Sequence, residues 1–131
     1  MFVAQVDKIV GAGVLCQREF QERPFMKFWS NSLITEYVEE DDDYRFLFFG
    51  TAIANLHGRE LTGKYLSDVG FRTIGDTIRQ LNFDVVGNVE RIYSSGTLDI
   101  MNKDYNKWWH VKIPLERNGK IGSSLTYVVY K

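Results

Sequence analysis

The chain is expected to fold as one α+β domain, a five-stranded antiparallel sheet with helices on one face and a helical extension at its N-terminus. Three observations predict this. Two segments rich in β-branched and aromatic residues, 33–38 and 44–49, precede a run of helical signals. Within that run Ile74, Ile78, Leu81, Val85, Val89 and Ile92 hold one face for about five turns. Three further strand signals follow, the last two joined by Asn118-Gly119, a strong hairpin turn. Two strands, a helical block and three strands suit a single antiparallel sheet with helices packed against it.

Taken in order, Phe2, Val3, Val6, Ile9 and Val10 recur at spacings of three and four and form an apolar helical stripe, weakened or ended by Gly11 and Gly13. Pro24 begins a second helical segment running to Asn31, which stacks Phe25, Phe28 and Trp29 on one side, with Trp29 as a packing anchor. The five acids 39–43 between the first two strands read as a solvated hairpin turn. They lack the spaced ligands, central glycine and terminal glutamate of a calcium loop. Thr51 to Leu56 makes a brief helix closed by Gly58, and a further turn runs from Thr62 to Gly70. The long helix starts at Thr73, with Asp76 at capping-box spacing, and ends at Gly96. Strands are expected over 97–101, 108–115 and 121–130. In the second of these Trp109, Val111, Ile113 and Leu115 share one face, and Trp108, His110 and Lys112 share the other, with Trp109 rather than His110 facing inward.

Composition bounds the function. Its 131 residues form one domain that buries about two-thirds of its unfolded surface, and 44% hydrophobic with 15% aromatic residues is too apolar for a disordered chain. Sixteen basic against seventeen acidic residues leave no net basic face, which argues against nucleic acid as a partner. Cys16 is the only cysteine, so neither an intrachain disulfide nor a cysteine zinc site is expected. No apolar run approaches the ~20 residues that span a bilayer, and Asp7 interrupts the apolar start, so the chain is expected to be cytoplasmic, with no membrane partner. Neither a nucleophile elbow nor a phosphate-cradling glycine loop occurs, and no metal-ligand cluster is present.

Three segments carry a family resemblance. Tyr44-Arg45-Phe46-Leu47-Phe48-Phe49-Gly50-Thr51-Ala52-Ile53 looks like a second strand entering a glycine-threonine turn. Leu56-His57-Gly58-Arg59-Glu60-Leu61-Thr62-Gly63-Lys64 looks like a Gly-Arg-acid-Leu-Thr-Gly signature, and Ile113-Pro114-Leu115 stands ahead of Asn118-Gly119-Lys120-Ile121 as a Pro-Leu pair before a hairpin glycine. Together they resemble the PAS superfamily, and in particular a family of stand-alone bacterial PAS-like domains, over roughly residues 25–131. The resemblance implies a PAS-like domain over 24–131, with a curved sheet and long helix enclosing a pocket, and a helical extension over 1–23 that mediates dimerisation. It implies a sensor of a small molecule, acting as a homodimer or through a downstream signalling protein. No output domain is expected after the last strand, and the Asp-Ile-Thr signature that often ends such domains does not occur there.

No cofactor is identified. Residues 75–95 contain no histidine to ligate haem, and Cys16 lies outside the expected core, away from where a flavin or a covalent chromophore would sit. The pocket is expected to be lined by Phe48, His57, Ile78, Leu81, Val85, Trp109 and Ser123. His57 would sit at its mouth, and Ser123 would be a polar group among apolar ones that needs a partner. Two other readings stand beside the sensor. One is an interaction module whose core is plugged by its own aromatic residues. The other is a small cone-shaped isomerase or dehydratase using Asp99 and His110 on neighbouring strands.

Overall fold

Strand signals and turn residues set the frame of the sheet. In the computed structural model, which describes residues 1–69, 72–97 and 107–130 and leaves the side chains of His57, Val69, 72–77 and Thr97 outside the description, six strands form one sheet. They are β1 (Leu15–Cys16), β2 (Ser32–Val38), β3 (Asp43–Phe49), β4 (Ile92–Thr97), β5 (Lys107–Arg117) and β6 (Lys120–Tyr130). The order is β1-β5-β6-β2-β3, with β4 also paired to β5. Every pairing is antiparallel except β1 with β5, where Leu15 lies opposite Leu115. The sheet is therefore six-stranded and mixed, where five antiparallel strands were expected. Residues 15–16, inside the expected helical extension, supply the extra strand.

Both faces of the sheet are covered, which departs from the expectation of helices on one face only. On one side lies an N-terminal cap of α1 (Phe2–Val10), α2 (Gln17–Phe20) and the 3₁₀ segment Arg23–Asn31. Phe2, Val6, Phe20, Phe25 and Phe28 pack there with Ile34, Val111, Ile113, Leu115 and Leu125 of the strands. Phe2 stacks on Tyr127 with ring centroids 4.8 Å apart and meets Phe28 edge-on at 5.5 Å. The apolar stripe of α1 is thus buried within the chain, leaving Ile9 exposed. Trp29 is partly buried against the same core and donates its indole N–H to the Phe20 carbonyl at 2.8 Å.

The opposite face carries α3 (Thr51–His57), the 3₁₀ turn Leu66–Val69 and α4 (Arg72–Asn88). Ile53, Leu61, Leu66 and Ile78 pack there against Tyr44, Phe46, Phe49, Trp108, Val128 and Tyr130. Alternation along β6 divides the two cores, with Leu125 and Tyr127 on the cap side and Val128 and Tyr130 on the α4 side. A bulge in the β2–β3 pairing, where Ile34 faces Phe48 and Thr35 faces Phe46, lets Leu47 and Phe48 both join the cap core. At Gly50 the backbone passes so close to Trp29 and Ser30 that an added Cβ would collide with their carbonyl oxygens, which explains a glycine at the turn into α3.

Two local expectations are corrected. The long helix stops at Asn88 rather than Gly96, because Val89 takes the left-handed conformation (φ 51°) and the Glu90 N–H bonds the Val85 carbonyl at 3.2 Å, a Schellman-type ending. Ile92 and Gly96 then belong to β4, with Gly96 lying directly against the Trp108 indole. Within the acidic run, Asp43 is not solvated. Its buried carboxylate accepts from Arg79 Nη1 at 3.3 Å, from the Tyr44 backbone N–H at 2.7 Å and from the Ser67 hydroxyl, tying β3 to α4. The capping box at Thr73 and Asp76 involves side chains outside the description, and the strand expected over 97–101 falls, past Thr97, outside the described residues. Among the described residues no helix is long and apolar enough to cross a membrane.

Candidate functional site

Strand alternation that sends Leu125 and Tyr127 to the cap sends Ser124 and Thr126 beneath α4. Register sets partners beside them, Thr35 of β2 opposite Ser124 and Lys112 of β5 opposite Thr126. From α4, Ile78, Asn82 and Val85 recur at helical spacing, and α4 packs on β5 and β6. The result is a buried polar cluster inside an otherwise apolar layer. Thr35, Asn82, Lys112, Ser124 and Thr126 are all buried, Asn82 at 0% and Lys112 at 2% exposure.

The hydrogen bonds of this cluster are incomplete. Asn82 Oδ1 accepts from the Ser124 hydroxyl at 2.6 Å, a length in the usual range for O–H···O. Thr35 Oγ1 lies 2.9 Å from Ser124 Oγ and 3.3 Å from Asn82 Oδ1. The other end of the amide, Nδ2, is buried without a partner among the described residues. Lys112 Nζ donates to Thr126 Oγ1 at 2.6 Å and forms no ion pair among the described residues. His110, two residues before Lys112 on the same face of β5, stacks on Trp108 with rings 4.9 Å apart and 9° from parallel, and its Nε2 is buried unpartnered.

Electrostatics follow from this geometry. Burial removes water from the Lys112 ammonium without supplying an acid, and pushes its pKa down to about 7. His110 is pushed down to about 4, first by burial and then by the Lys112 charge. Near neutral pH the site therefore presents a neutral imidazole, a half-ionised ammonium and an amide N–H₂ with no acceptor.

The residues expected to line a pocket do not gather in one place. Ile78 and Val85 lie in the layer beneath α4, Val85 fully buried, and Leu81 on the same helix is half-buried. Phe48 packs against Phe20 in the cap core at 6.3 Å, and Ser123 is buried on that same side of β6. Trp109 is 43% exposed on the cap side although Val111, Ile113 and Leu115 of the same face are buried there, while Trp108, His110 and Lys112 face α4, so both faces of this strand are covered where one was expected and Trp109 itself is not buried. The His57 side chain and Asp99 lie outside the described residues. Two open grooves, of about 440 and 620 Å³, are bordered by none of the expected residues.

Sequence reasoning missed Asn82, Thr35, Ser124, Thr126 and the role of Lys112. A signal was present: the stripe of α1 and the stripe of α4 each need an apolar surface, and one sheet offers two. Once both faces are covered, polar residues alternating with Val111, Ile113 and Leu125 must be buried as well. The chain matches no protein-family model and no curated protein sequence.

Proposed function

We propose that this chain is a small-molecule-sensing domain of PAS type, which performs no catalysis and acts through dimerisation or a partner protein. The observation that carries the reading is the unfilled hydrogen-bonding capacity beneath α4. A buried lysine without an acid, an amide end without an acceptor and a buried imidazole nitrogen without a partner are costly to maintain in a core whose only task is packing. A bound molecule would complete all three. Support also comes from the element order. Two strands, a helical block and three strands joined in one sheet crossed by its longest helix are the arrangement on which the PAS resemblance rests.

Output through another surface is supported by Tyr93 and Trp109. They are diagonal neighbours on the cap-side face of β4 and β5, 63% and 43% exposed. The test is native mass spectrometry of protein purified from its source cells, compared with the same sample denatured. A mass excess that disappears on denaturation is expected. The bare chain mass in both states would favour the interaction-module reading, in which the aromatic side chains of the cap fill the interior and the exposed pair docks a protein.

A further inference from the structure

We infer that the ligand carries a carboxylate, which Lys112 and the free amide end of Asn82 bind beneath α4. The inference rests on the sensory reading above and adds the chemical class of the ligand. Every unfilled group in the cluster that has a defined polarity is a donor. Asn82 Nδ2 carries two N–H groups with no acceptor, and Lys112 Nζ has used one of its three on Thr126. The acceptors are already engaged, since Asn82 Oδ1 takes the Ser124 hydroxyl and Thr126 Oγ1 takes the ammonium. What the site lacks is an acceptor with a negative charge.

The charge also fixes the size of the anion. Among the described residues of the cluster one ammonium is present, and the neighbouring imidazole is held neutral by burial and by that same ammonium. A single buried cation balances a single negative charge, and a dianion such as a phosphate monoester would leave an unpaired charge in the core. Ser124 and Thr126 lie on the same face of β6, about 7 Å apart. A planar two-oxygen group would have to lie over the strand between them, one oxygen toward the Asn82 amide and the other toward the Lys112 ammonium.

A groove lies on the same side of the sheet. The 620 Å³ groove runs between α4, at Arg79, Phe83 and Val86, and the β5–β6 turn, at Lys120 and Gly122. Arg79 and Val86 flank Asn82 by one helical turn on either side, and Gly122 precedes Ser124 by two residues on the same face of β6. The groove is bordered by these sequence neighbours and not by the cluster itself, so the ligand's acidic end would pass beneath α4 to reach Asn82 and Lys112 while its body lay along the groove against the exposed Phe83.

The test uses the whole chain and its Lys112→Met variant, a replacement of similar length that removes a buried charge and is expected to fold. Native mass spectrometry of both, purified from source cells, should show a retained molecule that proves to be a carboxylic acid on release and whose occupancy drops at least ten-fold in the variant. As a minimal probe, acetate should raise the Lys112 pKa read from its ¹³Cε resonance, whereas acetamide should not. A retained ligand without an acidic group, or one held equally by Lys112→Met, overturns the carboxylate assignment and leaves the sensory reading standing. A bare chain whose Lys112 does not respond to acetate overturns both.

Discussion

At Lys112 an ammonium has left water for one hydrogen bond, and that exchange has a measurable pH signature. Its pKa is about 7 in the native state, against an ordinary 10.5, so between these values the unfolded chain holds a proton that the native chain does not. Stability of the ligand-free protein should therefore climb as pH rises from 7, by about 1.4 kcal/mol per unit, and gain nothing from this group below pH 7. Burial raises Tyr44, Tyr127 and Tyr130, the last up to about 12, and this turns the curve down above about pH 10. Urea denaturation between pH 7 and 9.5 isolates the lysine. Lys112→Met should flatten the slope and stabilise the protein at pH 7 by about 1–4 kcal/mol. An unchanged slope would mean that the ammonium is solvated in solution. His110, at about 4, adds a separate climb between pH 4 and 6.5, by the same reasoning.

Elements end where the backbone requires it, and α4 shows this most clearly. Its last turn closes through a left-handed residue, a position that glycine or asparagine fills without strain and a β-branched side chain fills poorly. Val89 occupies it, half-exposed, with little burial to lose. Val89→Gly should stabilise the protein by about 1 kcal/mol, measured as a raised urea midpoint with unchanged slope. A loss of stability would show that Val89 contributes more by packing than its conformation costs. The helix stripe from Ile74 to Val85 was legible because its 3.6-residue period is long and regular. Its end was not, because Val89 and Ile92 continue the period by chance while the chain has already turned into β4. The N-terminal helix, by contrast, begins and ends where its stripe and Gly11 place it.

For the molecule as a whole, the cap makes the sheet a two-sided structure. Phe2 is buried one residue from the chain start and contacts Phe25, Phe28 and Tyr127. Arg91 links the cap to the start of β4, bonding Asp7 at 2.6 Å and the Gly11 carbonyl at 3.0 Å. Phe2→Ala should cost about 3 kcal/mol in global unfolding, with far-UV and near-UV signals lost together. A change confined to the near-UV signal, at unchanged global stability, would show instead that the cap is an independent appendage.

The sequence by itself determined the class, the order and most boundaries of the elements. Periodicity, β-branched runs and turn residues are local properties that act within a few residues. It also determined that Asn118-Gly119 closes a hairpin, since both residues must and do take positive φ. Only the tertiary structure decided that residues 15–16 add a parallel strand, that Asp43 is buried and that Lys112 faces inward. Each depends on what covers a face, and alternation specifies two faces of a strand without saying which one is dry. The seven expected pocket residues were chosen on the premise of one buried face. With both faces buried, Ile78 and Val85 fall to the α4 side and Phe48 and Ser123 to the cap side, and the polar groups between the strands and α4 became the site.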